Sequence, residues 1–173
     1  MLRNPTCALM LTAALLMPGL ARAVTYPLVP PSAEVRFRAY GLGFLAIDGQ
    51  FTRLSGTIEL DPLDPASCRI VVTAETASLR MPTASMTADA QGTDLLDVTL
   101  YPRFEYEGQC VGQALQGSLL LHGIRLPLNL SITRTAGRWT ATGTMLRAAW
   151  GMGARPGLAG PEVQIRFTTT LPK

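Results

Sequence analysis

The side chains with the most chemistry to offer in this 173-residue chain are three cysteines and one histidine. His122, in Leu121-His122-Gly123, has no carboxylate or thiolate beside it, so its spacing supports neither a metal site nor a catalytic triad. A surface turn residue is its reading. No serine sits in a G-x-S-x-G frame, which removes the nucleophile-elbow hydrolases. Gly41-Leu42-Gly43-Phe44-Leu45-Ala46 fits the G-x-G-x-x-A pattern that cradles a dinucleotide phosphate, but that use requires a helix to follow. Ile47, Gly49 and Phe51 instead continue in strand style, so a turn between two strands is expected, with Gly49 and Gly56 as bulges or bends of the sheet. Acidic residues fall on outward strand positions or in turns such as Asp61-Pro62 and Asp64-Pro65, a solvated face. Asn129-Leu130-Ser131 matches a glycosylation sequon, but it lies within a predicted strand. No catalytic residue, metal site or cofactor emerges, and the chain reads as a binding or structural protein, not an enzyme.

The cysteines separate by compartment. Cys7 opens the apolar run Cys7 to Met17, preceded by Arg3 and followed by Ala21-Arg22-Ala23, the pattern of a secretory signal peptide over residues 1–23. The run stops at Pro18-Gly19, short of the roughly 20 residues that a spanning helix needs. Asn4-Pro5-Thr6 before Cys7 does not fit a lipoprotein signal. A bacterial periplasmic or secreted location follows, with no stable membrane insertion after cleavage. Cys68 and Cys110 remain, in a compartment where disulfides persist, and a bridge between them is expected; two inert buried thiols are the alternative.

Removing the leader leaves 150 residues, enough for one domain. It also removes Arg3 and Arg22, leaving 13 basic against 12 acidic residues, which is not a nucleic-acid footprint. At 47% apolar and 16% charged, the chain can bury a core, which excludes disorder. Residues 24–33, with Pro27, Pro30 and Pro31, should form an extended lead-in. From Glu34 to Lys173 the dominant signal is period two: Val35, Phe37 and Ala39 alternate with Glu34, Arg36 and Arg38, and Val163, Ile165 and Phe167 with Glu162, Gln164 and Arg166. Such alternation predicts antiparallel sheet with one dry face. Eight strands are expected at 34–41, 43–60, 69–79, 103–111, 113–121, 125–134, 138–147 and 162–171, joined by turns such as His122-Gly123 and Ala136-Gly137. Met81 to Leu100 lacks alternation and predicts one or two short helices between the third and fourth strands. An all-β, eight-stranded antiparallel barrel with a helical insertion fits best, a two-layer sandwich second. If the third and fourth strands pair antiparallel, Cys68 and Cys110 lie side by side.

The dry face carries Phe37, Ile47, Val72, Phe104, Tyr106, Gly117, Leu119, Leu128, Leu130, Trp139, Gly143, Met145, Ile165 and Phe167. Small residues among large ones either leave a cavity for an apolar ligand or fill the taper of a small barrel. In the first case a tryptophan at Gly117 or Gly143 would fill the binding space. Met81 and Met86 belong to the helical end, where methionine adapts to irregular apolar shapes.

Three stretches give a resemblance. Ser32 to Pro62 (SAEVRFRAYGLGFLAIDGQFTRLSGTIELDP), Asp94 to Val111 followed by Leu115 to Leu130 with LLDVTLYPRFEYEG and LQGSLLLHGIRLPLNL, and Leu146-Arg147-Ala148-Ala149-Trp150-Gly151-Met152 resemble, in order and spacing, the YceI-like family. That resemblance implies a secreted bacterial protein with a lipocalin-like barrel holding a polyisoprenoid or quinone-type lipid, and it places Met81, Met86, Arg147 and Trp150 at the ligand mouth, with an outward salt bridge as the alternative for Arg147. Tyr40 and Leu42 stand where family members often carry a histidine. Met86 to Gln91 replaces a charged arginine-aspartate-histidine helix, which implies a different ligand head. A structural or stress-response barrel with a filled core is the competing reading and an enzyme using His122 a weaker third; partners beyond the apolar lipid, and the oligomeric state, are not specified.

Overall fold

A computed structural model describes residues 23–61, 63–154 and 159–171; all of the expected leader but its last residue, Ala23, lies outside them. In chain order the strands are β1 (Val24–Pro27), β2 (Ala33–Gly41), β3 (Leu45–Phe51), β4 (Leu54–Asp61), β5 (Asp64–Glu75), β6 (Leu79–Arg80), β7 (Arg103–Val111), β8 (Ala114–Leu121), β9 (Ile124–Pro127), β10 (Leu130–Thr135), β11 (Arg138–Leu146) and β12 (Ala159–Thr170). One helix, α1 (Ala84–Gln91), and two 3-10 turns, Thr76–Ser78 and Arg147–Trp150, complete the described elements. All pairings are antiparallel within one curled sheet.

The eight expected strands are all present, three of them interrupted, with β1 added. β3 and β4 are one stretch broken at Thr52-Arg53, and the facing stretch β5–β6 is broken by Thr76–Ser78. β9 and β10 keep one register against β8, with Pro127 opposite Ser118 and Leu130 opposite Leu115. Joined in this way the pairings run round a ring: β12 to β2, β2 to β3, β6 and β5 to β7, then β8, β10, β11 and back to β12. The barrel reading therefore holds over the sandwich. Corner polar groups are satisfied where the long strands break: the Thr52 amide donates to the Ser78 carbonyl at 3.2 Å, the Arg53 amide to Ser78 Oγ at 3.1 Å, and Thr76 Oγ1 to the Tyr101 carbonyl at 2.7 Å. Within 24–33, Val24–Pro27 pairs along the outer side of β4.

Leu42-Gly43, His122-Gly123 and Ala136-Gly137 make tight hairpin turns with positive φ at both residues, the geometry that suits the twist of paired strands. The first is the dinucleotide look-alike, and it is a turn between β2 and β3. The register runs unbroken through Gly49 and Gly56, which corrects the bulge expectation. These glycines serve close packing: a Cβ at Gly49 would stand 2.4 Å from the Phe37 ring and one at Gly56 would overlap the Val71 carbonyl oxygen at 2.1 Å. Met81 to Leu100 yields one helix; the Thr83 side chain caps it by accepting from the Met86 amide at 3.1 Å. Above β6 the chain leaves the sheet for α1, so Leu45–Gly49 has no strand on the side away from β2 among the described residues.

Candidate ligand-binding cavity

The two ends of the barrel are built differently. At the end that carries the Ala136-Gly137 turn, Ile58, Ile70, Leu115, Ile132, Ala141 and Phe167 close on one another around a void of only about 10 Å³. Cys68 and Cys110 form a disulfide there, with Cα atoms 4.8 Å apart, one position beyond the pair Arg69 and Gln109. The other end, beneath α1 and the β2–β3 turn, is hollow. Its cavity measures about 350 Å³, within the range of small-molecule sites.

Period two builds most of the wall. Phe37, Ile47, Val72, Phe104, Tyr106, Leu119, Leu128, Leu130, Met145, Ile165 and Phe167 all face the cavity, as do Met81, Met86 and Arg147 at its helical end. The rings of Phe51 and Phe104 meet edge to face at 4.8 Å, with Phe37 6.1 Å from Phe51, so one side is an aromatic panel. Val35, Phe51, Leu115 and Leu121 line it too and follow the same alternation, the signal by which they could have been found. Leu95, Leu96 and Met152 reach it from segments without a period.

Four expected residues are elsewhere. A Cβ at Gly117 would lie 2.2 Å from the Glu107 carbonyl oxygen and 2.6 Å from the Tyr106 hydroxyl; at Gly143 it would lie 2.5 Å from Leu130 Cδ2. Both glycines make room for a neighbour, not for a ligand, so tryptophan at either would disrupt the strands instead of filling the cavity. Trp139 belongs to the packed end, with the Arg134 guanidinium 4.3 Å over its ring. Trp150 is buried beside the cavity, its indole N–H donating to the Leu119 carbonyl at 3.1 Å.

Two polar groups stand out in this apolar wall. Gly108 and Gly117 face each other across β7 and β8, and the Tyr106 hydroxyl uses the gap to share its proton between the Leu115 and Leu128 carbonyls at 3.2 and 3.0 Å. Burial pushes this phenol up, so it stays protonated. Arg147 is 6% exposed. Its Nε donates to the Gly160 carbonyl and Nη2 to the Ala159 carbonyl, each at 2.8 Å, and Nη1 donates to the Met152 carbonyl. No carboxylate among the described residues forms an ion pair with it, and desolvation lowers its pKa. His122 lies in its turn with the Tyr101 ring tilted against it at 4.2 Å between centroids, outside the cavity wall. Among the described residues no group of three or more His, Cys, Asp or Glu could hold a metal.

The model of the YceI-like domain matches residues 26–171, nearly all of the described chain. The chain belongs to the YceI-like family. A UPF0312 protein of Vibrio cholerae is 27% identical over 135 residues, covering 73% of this chain and 71% of its own. Protein YceI of Shigella flexneri is 32% identical over 103 residues, 57% of this chain and 54% of its own. Among solved structures, Burkholderia cenocepacia BcnA superposes with a TM-score of 0.66 at 19% identity, covering 79% of this chain and 94% of BcnA. A polyisoprenoid binding domain from Saccharophagus degradans gives 0.59 at 14% identity, covering 84% of this chain and 98% of that domain. These YceI-like barrels share the fold described here. No described helix of this one is long and apolar enough to cross a membrane.

Proposed function

We propose that this YceI-like protein is an exported, periplasmic binder or carrier of a long apolar lipid of the polyisoprenoid or quinone type, and not an enzyme. The observation that carries the reading is the apolar cavity of about 350 Å³ inside the hollow end of the barrel. Burying one five-carbon isoprene unit there is worth about 3–4 kcal/mol relative to water. A bilayer offers the same gain, so tail burial alone selects nothing, and the head must supply the preference. Arg147 is the group for that role: three bonds to carbonyls hold it, its guanidinium has further N–H groups, and no described carboxylate forms an ion pair with it, although Asp89 lines the same cavity. An oxygen-bearing head, a phosphate or a quinone carbonyl, fits. The polyisoprenoid binding described for the Saccharophagus degradans domain supports the ligand class.

Mass spectrometry of lipids extracted from protein purified from a bacterial periplasm should find a prenyl-chain lipid at near-stoichiometric amounts. Ala39→Trp and Ile165→Trp, both at wall positions only partly buried, should each weaken a fluorescent polyprenyl probe at least tenfold while leaving the β-sheet circular dichroism unchanged. Lipid-free protein that takes up no probe would leave the filled structural barrel as the account.

A further inference from the structure

The β2–β3 hairpin projects at the hollow end, and its tip is the most exposed apolar segment near the cavity. Leu42 is 57%, Phe44 78% and Leu45 49% exposed. Three features of the hairpin bear on what covers this tip. First, from Ala39 to Ile47 the chain has no charged residue, and the residues that bound this span, Arg38 and Asp48, face each other across the hairpin. They form a two-point ion pair, Nε to Oδ1 at 2.7 Å and Nη2 to Oδ2 at 3.0 Å, so the base of the tip carries two mutually neutralised charges. Second, the tip is continuous with the cavity. Ala39, Tyr40 and Gly41 line the cavity on the same strand that leads to Leu42, and Ile47 lines it on the returning strand. Third, the turn itself is bonded within the hairpin, Gly41 pairing with Leu45 and the Phe44 amide donating to the Gly41 carbonyl at 3.2 Å, while the outer edge of Leu45–Gly49 behind it stays open among the described residues. From Gly41 to Ile47 no side chain carries a hydrogen-bonding group.

The tip offers a protein partner no polar side chain to fix its register, only the open backbone edge of Leu45–Gly49 behind it. A lipid interface needs none. It asks for apolar side chains, internally bonded backbone and no charge to desolvate. We infer that the β2–β3 tip, with Leu42, Phe44 and Leu45, docks shallowly on a phospholipid bilayer and sets the mouth of the cavity against the membrane from which the cargo is drawn. The purpose of the contact rests on the proposed lipid cargo; the contact itself does not. Arg38 and Asp48 lie on the order of 10–15 Å from the tip at strand rise, beyond the roughly 5–10 Å to which an interfacial segment buries its apolar face, so a shallow contact leaves their ion pair outside the acyl layer. The tip holds one aromatic, Phe44, and Tyr40 follows at the rim with a polar end suited to the headgroup layer.

The test is flotation of the processed protein, recovered from periplasmic extract, with vesicles of phosphatidylethanolamine and phosphatidylglycerol. The unaltered protein should rise with the vesicles. A Leu42→Asp/Phe44→Asp double variant should bind at least tenfold less while its melting curve and its solution binding of the polyprenyl probe stay the same. Leu63→Asp, which removes an equally exposed apolar side chain at the opposite end, should float as the unaltered protein does. The inference is overturned if the unaltered protein stays at the bottom of the gradient, if the double variant floats equally well, or if Leu63→Asp loses as much. Dimerisation in sedimentation that depends on Phe44, without vesicle binding, would also overturn it by making a second copy the occupant. Phe44-dependent flotation without any probe binding would sink the cargo reading and leave the docking standing.

Discussion

Arg147 shows how one residue can be read in two ways. Its place in the Leu146 to Met152 stretch marks it as part of the mouth by resemblance, and in the structure it lies on the cavity wall. Yet its bonds all run to backbone, to Met152, Ala159 and Gly160, so it also fastens the 3-10 turn to the start of β12. Arg147→Ala would leave three carbonyls short of a donor, a cost of about 2–4 kcal/mol. Calorimetry should show melting lowered by roughly 5–12 °C. Arg147→Lys should recover little of it, since one ammonium cannot replace a planar fork that serves three acceptors. A melting temperature within 2 °C of the parent in both variants, by the same size relation, would mean that the carbonyls find other partners.

At the scale of elements, alternation made the strands legible because each has one dry face, and the paired glycine turns fixed which strands are neighbours. Three breaks escaped it, one of them at Leu128-Asn129 within a single register. At Thr52-Arg53 and at Thr76–Ser78 the chain turns a corner of the barrel while staying in partnership with the same strand, and nothing in a period-two pattern records a bend. The disulfide was legible as soon as the third and fourth strands were paired. It bridges β5 and β7 at the packed end and closes 42 positions of chain, worth about 4 kcal/mol by loop-closure entropy. Cys68→Ser/Cys110→Ser should therefore lower unfolding free energy by about that amount in urea titration. Because the bridge lies at the far end from the cavity, affinity for the polyprenyl probe in the absence of denaturant should be unchanged. A double variant of parental stability, or one that folds but no longer binds, would contradict this division of the barrel.

The whole molecule is thus half core and half container, and this was the feature least legible in the sequence. Composition pointed to small residues as the source of empty space. The structure fills nearly every such gap with a neighbour: Phe37 packs against Gly49, Tyr106 against Gly108 and Gly117, and Leu130 against Gly143. The cavity arises instead where β6 ends and α1 replaces a strand, so that part of its wall is made of Met81, Met86 and Leu96 without sheet geometry to close it. Under the proposed function, its size limits the length of lipid tail held inside. A dry cavity of about 150 Å³ accommodates the six carbons of benzene, and by that proportion about 350 Å³ accommodates roughly fourteen carbons, close to three isoprene units. Affinity across a prenyl series with one head group should climb steeply from one unit to three, by up to two to three decades per unit. Beyond three units the added tail has no further wall and must leave by the mouth, so the gain per unit should fall below tenfold. Isothermal titration of probes of ten, fifteen, twenty and thirty carbons reads this directly. A rise that continues undiminished to thirty carbons would show that α1 moves aside to enlarge the cavity, and a flat series from ten carbons onward would show that the tail does not enter it.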